Sequence, residues 1–174
     1  YREQAQSLDN HFGKIVRLTL DGDPAPGNPF AGSPGALPEI WSYGHRNVQG
    51  IAQDPASGRI WTTEHGPQGG DEVNVMCAGG NYGWPVITYG RDYTGAIISP
   101  FTEREGLLQP MTYWVPSIAP SGMAFYAGDL FAGWRGDLLV SALAGSQLRR
   151  IDLDANGARV GEEVLLGDMG GRFR

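Results

Sequence analysis

Short apolar runs separated by glycine, proline, asparagine and aspartate set the pattern of this chain. Read for period-two alternation and for turn residues, it predicts strands near Lys14–Leu20, Ile40–Tyr43, Ile51–Gln53, Ile60–Glu64, Glu72–Met76, Met123–Tyr126, Leu138–Ser141, Gln147–Asp152 and Glu162–Leu166. Helical periodicity is scarce. The best amphipathic stretch, Tyr1–Asp9, is too short to hold a helix without tertiary support. The expected fold class is all-β. Two irregular stretches, Asp21–Pro38 and Thr88–Pro116, are rich in proline and glycine, and loops of that length in a compact domain are usually functional or disordered.

The strand pattern repeats weakly. Gln49-Gly50-Ile51-Ala52, a turn and Gly58-Arg59-Ile60-Trp61 resemble Ser121-Gly122-Met123-Ala124, a turn and Gly136-Asp137-Leu138-Leu139. Such self-similarity is what the blades of a β-propeller produce, although any β-meander can repeat a Gly-apolar-Ala pattern by chance. Trp41, Trp61, Trp84 and Trp134 read as core residues of these units.

Composition narrows the function classes. With 41% hydrophobic residues in 174, the chain can build a core, and its 27 glycines and 12 prolines act as turn punctuation. A formal net charge of −6 disfavours nucleic acid and anionic membrane surfaces as partners. No apolar run is long enough for a membrane-spanning helix, and no basic-then-apolar leader opens the sequence. Cys77 is the one cysteine, which excludes an internal disulfide and a cysteine-rich zinc or iron–sulfur site. Tyr1 at the start and the Gly171-Arg172-Phe173-Arg174 loop at the end give the expectation of a chain cut at both ends.

Three motifs stand in order: Tyr43-Gly44-His45-Arg46-Asn47-Val48-Gln49-Gly50, Glu64-His65-Gly66-Pro67-Gln68-Gly69-Gly70-Asp71-Glu72-Val73-Asn74, and Gly80-Asn81-Tyr82-Gly83-Trp84-Pro85. In order and spacing they resemble the glucose/sorbosone dehydrogenase family, and weaker likeness extends over nearly the whole chain. The resemblance implies a six-bladed β-propeller about twice this length, so residues 1–174 would form a partial propeller of about three blades, incomplete at both ends. It further implies oxidation of aldoses, or related sugar aldehydes such as sorbosone, to lactones or acids. Pyrroloquinoline quinone (PQQ) and Ca²⁺ would be the cofactors, an external electron acceptor would take the electrons, and the setting would be periplasmic or secreted.

The same resemblance assigns residues. Arg46 and Asn47 would contact the quinone oxygens, and Arg172 and Arg174 the carboxylates of PQQ, for which planar guanidinium forks are well suited. Main-chain carbonyls of Gly66 and Pro67 would ligate the calcium beside the cofactor, and Glu72 with the main chain of Tyr82 a second, structural calcium. Tyr93 would pack on the quinone ring, and Trp114, offset by one position from a site tryptophan, would wall the sugar pocket. Ala144 takes a cofactor-facing position where the family often carries a lysine. Asp71, read alone, is a solvated acidic turn. The histidine that acts as general base in the family would lie upstream of Tyr1. His45 and His65 belong to cofactor-side motifs and His11 to a strand start, so residues 1–174 are expected to show no turnover. Two other readings stay open at this point: a non-catalytic propeller that binds a protein or carbohydrate partner, which Ala144 favours slightly, and a metal-dependent lactonase-like propeller, for which few acids converge.

Overall fold

The computed structural model describes all residues 1–174 and is all-β, with only two short 3-10 turns, Arg2–Gln6 and Ala132–Trp134. β1 (Lys14–Val16) and β2 (Ile40–Tyr43) form a two-stranded antiparallel sheet. β3 (Val48–Gln53), β4 (Ile60–Glu64), β5 (Asp71–Val75) and β6 (Thr112–Trp114) form a four-stranded meander. A second meander contains β7 (Pro120–Phe125), β8 (Leu138–Ala142), β9 (Gln147–Leu153) and β10 (Arg159–Leu165).

The sequence echo marks structurally equivalent positions. In the first meander Ala52 opposes Trp61 across β3 and β4, and in the second Ala124 opposes Leu139 across β7 and β8. Each repeat is therefore the first hairpin of one blade. The two blades meet along β3 and β7, where Gly50 allows the close approach: a Cβ there would lie 3.0 Å from the Ser121 carbonyl oxygen. Between the sheets sits a core of Trp61, Val73, Trp114, Ile118, Leu138, Val140, Ala142 and Ile151. β8 alternates buried and half-buried residues as one sheet face against a core requires, whereas β4 is buried at four consecutive positions. A polar link also joins the blades. Glu162 on β10 accepts hydrogen bonds from the Trp114 indole (2.9 Å) and from Arg149 (2.7 Å).

Several elements differ from the sequence reading. β1 stops at Val16, because Asp21-Gly22-Asp23-Pro24 turns the chain back and leaves only a single bridge between Leu18 and Pro24. At the N-terminus the helical stretch shrinks to a 3-10 turn whose Ala5 is buried. The stretch 21–38 is ordered by Asn28, whose amide donates to the carbonyls of Arg17 (2.9 Å) and Pro38 (3.0 Å). The stretch 88–116 hides β6, only three residues long and followed closely by Pro116. Of the four tryptophans read as core, Trp61 alone is; Trp41, Trp84 and Trp134 are half-buried and lie beneath the guanidinium groups of Arg17, Arg46 and Arg150.

Candidate functional site

The link from β2 to β3 is a tight turn at Gly44, whose φ of 76° and close packing suit only glycine: a Cβ there would lie 2.2 Å from Asn81 Oδ1. Next comes His45, fully buried, its ring stacked on Tyr82 at 4.5 Å. His45 Nδ1 lies 3.1 Å from Glu64 Oε1, and the Ser42 hydroxyl lies 2.9 Å from His45 Nε2. Glu64, the last residue of β4, accepts the backbone N–H of Arg46 (2.7 Å) and of Asn47 (3.4 Å) on Oε2. Arg46 extends from that anchored backbone. Its Nη1 donates to the His65 carbonyl (3.0 Å) and its guanidinium lies over the Trp84 ring at 5.4 Å.

Beyond β4 the loop 65–70 folds tightly on itself. A Cβ on Gly66 would meet the Gly69 carbonyl oxygen at 2.2 Å, and one on Gly70 would meet the Gly90 nitrogen at 2.6 Å. Asp71 closes the loop, and here the solvated-turn reading is corrected: Asp71 is fully buried. Its Oδ1 accepts the Gly66 N–H (2.9 Å). Its Oδ2 accepts the Ser117 hydroxyl (2.6 Å) and the N–H groups of Ile118 (2.7 Å) and Ala119 (2.8 Å). Four donors converge on one carboxylate, which is why it tolerates burial.

The cleft between these segments is lined by Arg46, Gly66, Pro67, Glu72, Tyr82 and Trp84 among others. The buried Asn74 amide donates to both Glu64 (3.0 Å) and Glu72 (3.1 Å), while its own Oδ1 has no partner. Burial, followed by the negative charge of Glu64, pushes the Glu72 carboxyl up to about 8. Burial also disfavours the Glu64 carboxylate, but hydrogen bonding and charge from His45, with the two backbone N–H groups, hold it below the usual range. No three His, Cys, Asp or Glu side chains converge as a metal cluster. A cation here would rest on main-chain carbonyls beside the Glu72 carboxylate, oxygen donors of the kind a hard ion takes.

One pH effect follows in chelator-treated protein. A carboxyl raised from its ordinary 4.5 to about 8 contributes stability below pH 4.5 that is lost as pH rises towards 8. Glu72→Gln removes this loss, so thermal melts should show the variant gaining on the parent across that window. A difference independent of pH would contradict it.

The other site residues fall in different places. Asn47 is exposed beside the first cleft, its Oδ1 accepting from Gln49 (2.8 Å). Gln49 also borders a second cleft with Ser121, Gly122, Leu143 and Arg174. The Ser121 hydroxyl donates to the Phe173 carbonyl (2.7 Å), which fixes the chain terminus there. Ala144 follows Leu143 at this cleft, its N–H donating to the Ile118 carbonyl (2.9 Å). Arg172 is exposed, and so is Tyr93, on a turn two residues past Arg91, which pairs with Gln68 through reciprocal backbone hydrogen bonds of 2.9 and 3.1 Å. Trp114 lies in the core between the blades and lines neither cleft.

Residues 1–174 match the glucose / sorbosone dehydrogenase family over their whole length. The chain belongs to that family. Aldose sugar dehydrogenase YliI of Escherichia coli is 46% identical over 177 residues, covering 99% of this chain and 47% of the relative. A solved glucose dehydrogenase superposes with a TM-score of 0.95 at 49% identity, over 98% of this chain and 50% of the other. The PQQ-bound aldose sugar dehydrogenase of Streptomyces coelicolor gives a TM-score of 0.75 at 34% identity, over 99% of this chain and 44% of the other. The chain thus spans about half the length of the relatives it matches. Within the six-bladed propeller of the glucose / sorbosone dehydrogenases it supplies about three blades, namely the two meanders and the β1–β2 part of a third.

Sequence reasoning missed the members of this site that act through others. Glu64 and Asn74 stand in the second motif, whose sequence gives them no role, and Trp84 reads as core from sequence. The available signal was polarity at inward positions: Glu64 ends the strand Ile-Trp-Thr-Thr-Glu, and a buried carboxylate requires donors from elsewhere.

Proposed function

We propose that this chain contributes the cofactor-holding half of a calcium-dependent quinoprotein that oxidises aldoses to lactones. The observation that carries the reading is the convergence of Arg46, Gly66, Pro67, Glu72 and Tyr82 on one cleft with an unpaired buried oxygen behind it. PQQ bound here would supply a hydride acceptor for sugar oxidation, and calcium a Lewis acid beside it. The chain's own residues bind and orient. Arg46 offers its remaining guanidinium N–H groups to the quinone oxygens, with Asn47 beside it, while Arg174 and Arg172 supply positive charge for carboxylates. The Gly66 and Pro67 carbonyls would hold the cation beside the cofactor, Glu72 with the Tyr82 main chain a second, structural cation, and Tyr93 would pack on the quinone ring. Trp114 is left to the core.

Proton abstraction is assigned to none of the three histidines. His45 is buried against Glu64 and Ser42, His65 Nε2 donates to the Pro120 carbonyl (2.7 Å), and His11 pairs with Glu39 (2.7 Å) away from the cleft. Residues 1–174 alone are therefore expected to show no turnover. A periplasmic or secreted setting, with an external electron acceptor, belongs to the same proposal. The test is aldose-dependent dye reduction by the full-length protein supplied with PQQ and calcium. Activity lost in Arg46→Ala supports the reading, and no oxidation of any aldose would overturn it.

A further inference from the structure

Ser42, His45 and Glu64 form a buried cluster behind the cleft that touches neither cofactor nor cation in the proposed function. Glu64 Oε2 is the acceptor for the Arg46 N–H at 2.7 Å and also receives the Asn47 N–H at 3.4 Å. Its other oxygen is held by His45 Nδ1 at 3.1 Å and by Asn74 Nδ2 at 3.0 Å. Ser42 fixes the far side of the His45 ring, and Tyr82 stacks on its face. Ser42, His45, Glu64 and Asn74 are all at most 4% exposed. The Ser–His–Glu order resembles a hydrolytic triad, but a buried Ser42 cannot reach a substrate, so the arrangement must serve another end.

We propose that Glu64, braced by His45, Ser42 and Asn74, is the positioning residue that sets where Arg46 and Asn47 present their side chains to the quinone. The inference rests on the quinoprotein reading. A two-pronged carboxylate fixes two successive N–H groups and thereby the backbone from which both side chains project. The head of Arg46 is held separately, by the His65 carbonyl and the Trp84 ring. Asn74 adds a second consequence, because its amide bridges Glu64 to Glu72 and so ties the arginine side of the cleft to the cation side. Supporting residues of this kind change affinity or activity by about 10–100-fold when removed, although they never touch the ligand.

The test uses the full-length protein with PQQ and calcium. Glu64→Ala and Glu64→Gln are compared with the parent for PQQ affinity, read by quenching of tryptophan fluorescence, and for kcat and KM separately. Glutamine keeps one acceptor for the Arg46 N–H but turns an amide N–H₂ towards His45 or Asn74. The expected result is PQQ binding weakened by about tenfold or more in Glu64→Ala and less in Glu64→Gln, with kcat lowered and the KM for aldose unchanged. If Glu64→Ala does not fold, Glu64→Gln decides alone, with severalfold weaker PQQ binding expected. Parental PQQ affinity and kcat in a folded variant, or a change in KM alone, would overturn the proposal. Failure of the parent itself to bind PQQ would instead sink the quinoprotein reading.

Discussion

Asp71→Ala is expected to cost about 3 kcal/mol or more of folding stability, since it strips the acceptor from two buried backbone N–H groups, a half-buried one and a hydroxyl. The loss should spread, because Asp71 is the point where two loops meet. On one side it holds Gly66 and the start of the tight loop; on the other it holds Ser117, Ile118 and Ala119. Ala119 sits at φ 49°, a left-handed conformation that an alanine keeps only when its surroundings dictate it. The carbonyls of Ile118 and Ala119 in turn accept from Ala144 and Leu143, so a single carboxylate connects the two clefts. Denaturant unfolding measures the cost, and hydrogen exchange should show the amides of Gly66, Ile118 and Ala119 losing protection together. Asp71→Asn retains one acceptor oxygen and should fall between parent and alanine. A cost for Asp71→Ala no larger than that of a typical surface substitution would contradict this account.

Gly66→Ala is expected to have the second large effect. Its methyl group would fall 2.2 Å from the Gly69 carbonyl oxygen and 2.3 Å from the Gly70 carbonyl group, both main chain. A flexible side chain could swing aside, but here the loop backbone must move. The carbonyls of Gly66 and Pro67 would move with it. We expect a fall in melting temperature and, in the full-length protein, calcium affinity reduced by about tenfold or more, in line with displaced metal ligands and their supports. Calorimetric titration of calcium checks this, and an unchanged affinity would remove the loop carbonyls from the site.

The strand positions were legible because turn residues and period-two alternation report directly on short strands, and the repeated Gly-apolar-Ala segment falls on equivalent hairpins. What escaped were features that depend on distant partners. Asp71 looks like a solvated turn in sequence, since nothing local reveals that residues 117–119 supply three of its donors. Glu64 and Asn74 are polar residues on inward strand positions, and only the fold brings Arg46, His45 and Glu72 against them. Trp114 and Trp84 exchanged roles for a related reason: an aromatic side chain suits a core and a binding wall equally, and the choice is made by which blade covers it. The three-residue strand β6 is too short to carry an alternation signal of its own.

The proposed site for PQQ together with a cation, centred on Arg46, the Gly66–Pro67 loop, Glu72 and Tyr82, is tested most directly by a titration of PQQ into the full-length protein with calcium and with a chelator. The account predicts saturable binding seen in the cofactor absorbance, strong with calcium and much weaker with chelator, and reduced by Arg46→Ala. Absence of PQQ binding in the presence of calcium, or binding indifferent to both calcium and Arg46, would contradict it.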